Sequence, residues 1–177
     1  LAVSILTSAC TGQRQPPVDK VFKSQTSAGT KALEKRDFAL AEQSFTEAVA
    51  TAQADKSQAE LLEALSGLSK ALAERGRYGA AEVVQKRLIS VTEGLHGKMS
   101  AQYAAALNVL AATYHAEGKQ QEAEPLALQA LSVQEKVLGA GHPFVAITCN
   151  NIAEIYQKEG KDAEAEPYFK RALSIYQ

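Results

Sequence analysis

The sequence predicts an all-α fold, a right-handed superhelical solenoid of antiparallel helical hairpins. Three observations support this prediction. The 177-residue chain is rich in Ala and Leu, has no Trp and contains only 6% aromatic residues, a composition that favours helices. Small residues, tyrosines and glycines recur at a constant spacing, as at Gly118 and Gly160. Between them, apolar residues recur every three or four positions, which places them on one face of a helix.

The repeat is clearest in the second half of the chain, where residues 42 positions apart are identical. These pairs are Tyr114 and Tyr156, Gly118 and Gly160, Lys119 and Lys161, Ala123 and Ala165, Pro125 and Pro167, Ala130 and Ala172, and Leu131 and Leu173. The same step backwards leads to Gly76 and Ala81, and a looser copy begins at Ala32. Residues 20–177 therefore divide into four units, at about 20–55, 57–96, 100–138 and 142–177.

Each unit reads as two helices joined by a tight turn. Gly118 and Gly160 stand where a helix C-terminus needs a left-handed residue, which glycine adopts without steric cost. Small residues such as Ala111, Ala123 and Ala130 allow the helices to approach closely. One hairpin cannot bury its apolar face alone, so successive hairpins must stack on each other.

Several functional classes find no support in the sequence. The net charge is −1 and no basic run is interleaved with aromatic residues, so a nucleic-acid partner is not expected. Two distant cysteines and three dispersed histidines do not form a metal-binding pattern. No catalytic motif is present either, so we expect no enzyme activity, metal or cofactor. The acidic residues of the second helices are interpreted as solvated surface: Glu122, Glu124, Glu164 and Glu166.

The first ten residues, LAVSILTSAC, are uncharged and end in small residues before Cys10. They resemble the end of a bacterial lipoprotein signal peptide, which implies lipidation of Cys10 and residues 11–19 as a flexible tether. The run is too short to span a bilayer. A plain secretory signal or part of an ordinary helix is the alternative. The lipoprotein interpretation predicts a chain anchored by lipid in the bacterial cell envelope; otherwise a cytoplasmic location is expected.

The four units resemble the tetratricopeptide repeat, whose small-residue and glycine positions they match over roughly residues 20–177. The usual period is about 34 residues, and the longer period here places extra residues at the end of the second helix and in the following loop. This longer form, with NNIAEIYQKEGKDAEAEPYFKRALSIY near the end of the chain, resembles the repeats of kinesin light chain and its bacterial relatives.

In tetratricopeptide arrays the first helix of each hairpin lines the concave groove. Polar residues on these helices are therefore the predicted peptide-binding residues: Ser66, Lys70, Asn108, His115, Asn150, Glu154 and Lys158. A side-chain amide can both donate to and accept from a peptide backbone, and the resemblance to kinesin light chain repeats implies this role for Asn108 and Asn150. The alternative is that these amides cap or bridge neighbouring helices.

The sequence thus predicts a scaffold or adaptor that holds a protein or peptide partner in its groove. One alternative is a self-assembling array in which the C-terminal end stacks on another copy. The other is a regulatory region of a larger enzyme or sensor that continues beyond Gln177. Groove residues, rather than the fold, decide which partner is held.

Overall fold

The computed structural model describes residues 17–177, so the predicted lipidation site at Cys10 lies outside the described residues. Within this range the chain forms helices and turns, without strands. The expected all-α solenoid of helical hairpins is therefore confirmed. The helices are α1 (Val18–Glu34), α2 (Phe38–Ala54), α3 (Gln58–Glu74), α4 (Tyr78–His96), α5 (Ala101–Glu117), α6 (Gln120–Leu138), α7 (Pro143–Lys158) and α8 (Asp162–Tyr176).

The helix ends follow local chemistry. The side chains of Asp37, Ser57 and Ser100 accept hydrogen bonds from backbone N–H groups in the first turns of α2, α3 and α5, which satisfies donors that have no partner within the helix. His142 does the same for α7, and Pro143 occupies the first helical position, where its missing N–H is harmless.

The turns inside the hairpins use a left-handed residue, as predicted. Gly118 and Gly160 have φ values of 85° and 75°, and Gly76 has 69°. In the first hairpin the same position is held by Arg36, with φ of 59°. A side chain in this conformation is strained, because its Cβ approaches the following carbonyl oxygen.

Many alanines lie in the contact surfaces between helices, and the stack buries several of them completely. Ala41, Ala64, Ala81, Ala104 and Ala123 each have 0% exposure. Each helix packs mainly on its neighbours in sequence, while α1 also contacts α3 and α5 contacts α7. Small side chains allow this close approach, and burial of the intervening apolar surface stabilises the stack.

The packing between the first two hairpins depends on one large side chain between two glycines. Phe45 of α2 is 3% exposed, and its ring lies against Gly29 of α1 and Gly67 of α3. A Cβ added at Gly29 would lie 2.7 Å from a ring carbon, and one at Gly67 would lie closer still. The two glycines therefore make the space that the ring fills.

Candidate functional site

A groove lies between α3 and α5, and α4 closes it from behind. We name it the α3–α5 cavity; its volume is about 550 Å³. Its walls and floor are lined by residues of all three helices: Ser66, Ser69, Lys70, Ala73, Glu74, Tyr78, Gln85, Leu88, Val109, Ala112, Thr113 and Ala116. Apolar atoms supply most of the lining surface, and seven of the twelve lining side chains carry a polar group.

Three buried polar side chains lie together at the bottom of this cavity. The Gln85 Nε2 group donates to Ser69 Oγ at 2.9 Å and to Thr113 Oγ1 at 2.8 Å. Gln85, Ser69 and Thr113 are 0%, 1% and 4% exposed. We call these three residues the polar floor; it links α3, α4 and α5.

Among the helices of residues 17–177, the polar floor is specific to the junction between the second hairpin (α3 and α4) and the third (α5 and α6). Gln85 is the eighth residue of α4, and the eighth residues of α2, α6 and α8 are Phe45, Ala127 and Phe169. At the junction between the first and second hairpins, the Phe45 ring fills the equivalent space. At the junction between the second and third hairpins, Gln85 places hydrogen-bonding groups there instead.

Two of the residues predicted for peptide binding lie in the cavity wall. Ser66 and Lys70 contribute from α3, and both are exposed. Across the cavity, α5 presents Ala112 and Ala116, which occupy the positions that Glu154 and Lys158 hold in α7. Glu154 and Lys158 are exposed, but they lie one repeat further along the solenoid.

The two predicted groove asparagines have different hydrogen-bond partners. Asn108 accepts a 3.2 Å hydrogen bond at Oδ1 from Nδ2 of Asn151, so this pair bridges α5 and α7. Asn150 instead donates to Glu154 Oε1 at 2.7 Å along its own helix. For Asn108 the geometry is that of the bridging alternative.

His115 is held at the hairpin turn. Its Nδ1 lies 2.8 Å from Gln120 Oε1, and Gln120 Nε2 donates to the His115 carbonyl oxygen. These two contacts close the turn between α5 and α6. His115 is half-buried, and these contacts give it a role in the geometry of the hairpin turn.

A glutamate is the fifth residue of every second helix: Glu42, Glu82, Glu124 and Glu166. The Tyr114 hydroxyl donates to Glu82 at 3.0 Å, and Tyr156 donates to Glu124 at the same distance. The interpretation of Glu124 as merely solvated surface was therefore wrong, because its carboxylate connects successive hairpins. We call each such contact an inter-hairpin clamp.

Lysines complete these clamps. Lys119 Nζ lies 3.7 Å from Glu82, and Lys161 Nζ lies 3.9 Å from Glu124. The hydrogen bond from Lys86, followed by that from Tyr114, lowers the pKa of Glu82. In the first pair of hairpins Arg75 and Arg77 contact Glu42 instead.

The described part of the chain holds no arrangement suited to metal chemistry or bilayer crossing. In residues 17–177 no group of three or more His, Cys, Asp or Glu side chains could hold a metal ion. None of the helices in this range has the length and apolar character needed to cross a membrane. Cys149 is 0% exposed in the core between α5, α6, α7 and α8, and burial raises the pKa of its thiol.

Four stacked helical hairpins with a lined groove define a helical-repeat protein. The family model for the tetratricopeptide repeat matches residues 60–136 and 102–177. The chain therefore belongs to the tetratricopeptide repeat family. A search of curated proteins found no match.

Solved structures share this fold. BtubC (BKLC) from P. vanneervenii is 19% identical with a TM-score of 0.73, over 91% of this chain and 74% of that one. A protein from Podosopora anserina, described as a kinesin light chain with nearly identical TPR-like repeats, is 21% identical with a TM-score of 0.77, over 91% and 77%. The TPR domain of Arabidopsis FLU is 20% identical with a TM-score of 0.63, over 68% and 99%.

Tetratricopeptide repeat domains generally bind protein partners and generally act as non-catalytic scaffolds. The fold therefore supports a role in protein interaction.

The sequence analysis did not predict the polar floor, although one feature of the sequence indicates it. Aligning the second helices places Gln85 beside Phe45, Ala127 and Phe169, and a polar residue in an otherwise apolar column marks a special environment.

Proposed function

We propose that this chain is a non-catalytic scaffold that binds an extended segment of a partner protein along the groove containing the α3–α5 cavity. The observation that carries the proposal is the cavity itself. It combines apolar walls, exposed polar residues at the rim and a polar floor, the combination by which pockets orient a ligand. Lys70 and Glu74 place opposite charges on one wall, so the partner segment need not be strongly acidic or basic.

Site-specific photo-crosslinking tests this proposal. A photoreactive amino acid replaces Glu74, which is exposed at the cavity rim, and in a matched control it replaces Ser132, on the exposed face of α6. Both variants are expressed as the full chain in the native cells, and cross-linked peptides are identified by mass spectrometry.

We expect one recurring partner segment at position 74 and none of that segment at position 132. The additional change Ala112→Arg, which places a long side chain in the cavity, should strongly reduce the yield at position 74. Equal capture of the same segment at both positions, or no capture at position 74, would overturn groove binding.

We further propose that the scaffold is held at a bacterial membrane by lipid on Cys10. The support is the sequence LAVSILTSAC, which resembles the end of a lipoprotein signal peptide. Acyl chains contribute about 0.8 kcal/mol per buried methylene. Metabolic labelling with an alkynyl fatty acid should mark the protein, and Cys10→Ser should abolish both the label and membrane retention. Unchanged retention of Cys10→Ser would contradict the anchor.

Self-association is a second candidate, favoured by the exposed apolar side chains of α8. Leu173 is 60% exposed and Tyr176 is 61% exposed. In a head-to-tail stack, Glu166 would meet Asp37 at the position that Lys119 and Lys161 hold in the observed clamps, and like charges would oppose the contact. Sedimentation over a wide concentration range tests this candidate, which requires a mass that rises with concentration.

A further inference from the structure

The polar floor contains one hydrogen-bonding atom that the described chain leaves unused. Gln85 Oε1 is buried, and it has no hydrogen-bond partner among residues 17–177. A buried carbonyl without a partner costs about 1–3 kcal/mol. Gln85 lies in the lining of the α3–α5 cavity but is 0% exposed, so a donor group inserted deep into this cavity reaches Oε1 by displacing the atoms that cover it. The new hydrogen bond would then recover that cost.

The hydroxyl groups of Ser69 and Thr113, beside Gln85, add hydrogen-bond donors to this acceptor. Ser69 and Thr113 both accept hydrogen bonds from Gln85 Nε2. Each hydroxyl also carries a proton and can donate. The floor therefore presents an acceptor next to two donors, within a small area and away from bulk water.

Rotation of the Gln85 carboxamide by half a turn changes the arrangement little. Ser69 and Thr113 would then donate to Oε1, and Nε2 would become the end without a partner. In either orientation the floor offers both donors and acceptors, so its natural complement also carries one group of each kind.

We propose that the polar floor recognises a side-chain carboxamide, that of a glutamine or asparagine in the partner segment bound at the α3–α5 cavity. This inference rests on the proposed groove function and specifies its ligand. The amide N–H of the ligand donates to Gln85, and its carbonyl oxygen accepts from Ser69 or Thr113. The apolar walls formed by Leu88, Val109 and Ala112 enclose the methylene groups of the inserted side chain.

A carboxamide fits this floor better than side chains of similar size. A carboxylate lacks the N–H donor that Gln85 Oε1 requires, and burial of its charge is costly. A thioether fills the same volume but leaves the polar floor without partners. Sites built to hydrogen-bond a ligand discriminate strongly against analogues that lack the group.

Nuclear magnetic resonance titration tests the proposal with three small probes: N-acetylglutamine methylamide, N-acetylglutamate methylamide and N-acetylmethionine methylamide. We expect the glutamine probe to shift the side-chain amide signal of Gln85 and the backbone signals of Ser69 and Thr113. One net hydrogen bond contributes about 1 kcal/mol, so the other two probes should bind about fivefold more weakly.

Protein variants test whether Gln85 makes the contact with the carboxamide. Gln85→Met keeps the length of the side chain and should reduce binding of the glutamine probe about fivefold. The matched control is Gln134→Met, because Gln134 is also buried but bonds to Thr148 in α7; it should leave probe binding unchanged. If Gln85→Met does not fold, Ala112→Leu narrows the cavity from an exposed position and should weaken all three probes.

The possible failures are distinguishable. Equal affinity for the three probes, unchanged binding by Gln85→Met, or no shift up to the solubility limit of the glutamine probe would overturn carboxamide recognition. Groove binding itself would still stand if cross-linking at position 74 captured a partner segment. If that captured segment lacked glutamine and asparagine, the carboxamide inference alone would fail.

Discussion

The hydroxyl of Tyr156 donates a 3.0 Å hydrogen bond to the carboxylate of Glu124, 32 residues earlier in the chain. This contact joins the last hairpin to the one before it. The same arrangement joins Tyr114 to Glu82, so the inter-hairpin clamp is a repeated device. Because each hairpin buries its apolar face only against its neighbours, such clamps fix the register of stacking.

Removal of the Tyr156 hydroxyl should therefore destabilise the C-terminal end of the solenoid. We expect Tyr156→Phe to lower the free energy of unfolding by about 1–2 kcal/mol, the range for a hydrogen bond to a charged group that is partly exposed. Urea denaturation followed by circular dichroism measures this change. A double-mutant cycle with Glu124→Ala, which removes the acceptor, isolates the pair, and strictly additive effects would show that the clamp contributes nothing.

The Tyr156 clamp should also fail at high pH. Burial, followed by the hydrogen bond to Glu124, raises the pKa of Tyr156 to about 12, whereas an unfolded tyrosine has a pKa of about 10. The folded state therefore keeps a proton that the unfolded state releases. This contribution to stability is complete below about pH 10 and is lost as the pH rises from about 10 towards 12.

Thermal unfolding at several alkaline pH values tests that dependence. The melting temperature of the wild-type protein should fall more steeply above about pH 10 than that of Tyr156→Phe. The comparison removes the effect of lysine deprotonation, which both proteins share. Parallel curves for the two proteins would contradict the pKa shift as a determinant of stability.

Packing at the first hairpin junction predicts opposite results for two glycine-to-alanine changes. A methyl group at Gly67 would collide with the Phe45 ring, so Gly67→Ala should cost about 1–3 kcal/mol of stability. Gly94 in α4 has no atom within 4 Å of an added Cβ, so Gly94→Ala should gain about 0.5–1 kcal/mol. Denaturant unfolding measures both changes.

A compensating substitution at Phe45 tests whether steric collision causes the loss of stability in Gly67→Ala. Gly67→Ala combined with Phe45→Leu should recover part of the lost stability, since the smaller side chain makes room for the methyl group. If the double variant were as unstable as the sum of the single variants, steric collision with Phe45 would not be the reason for the loss.

The left-handed turn positions give a further test. Gly118→Ala should lower stability by about 1 kcal/mol, because the added Cβ is strained at positive φ. Arg36→Gly should raise stability, since it relieves the same strain at the equivalent turn. Its cation–π contact with Phe38, at 5.9 Å to the ring centroid, contributes less than the strain removed. Thermal unfolding should therefore order these proteins as Arg36→Gly, wild type and Gly118→Ala.

The sequence by itself determined the helical-hairpin architecture and the tetratricopeptide class. The spacing of apolar residues, turn glycines and alanines reflects the local requirements of helices and turns. These requirements are the same in every unit. It also placed Ser66 and Lys70 on the first helix that forms one wall of the α3–α5 cavity. These features depend on intervals along the chain, which a single sequence displays directly.

Only the tertiary structure decided which side chains meet between hairpins. Asn108 pairs with Asn151 and Asn150 with Glu154, and Gln85 joins Ser69 and Thr113 from two other helices. Such partners lie 16 to 43 residues apart, and small rotations of each helix choose among several candidates. Periodicity assigns a residue to a face of its helix, whereas the relative placement of three packed helices determines the atoms that come within hydrogen-bond distance.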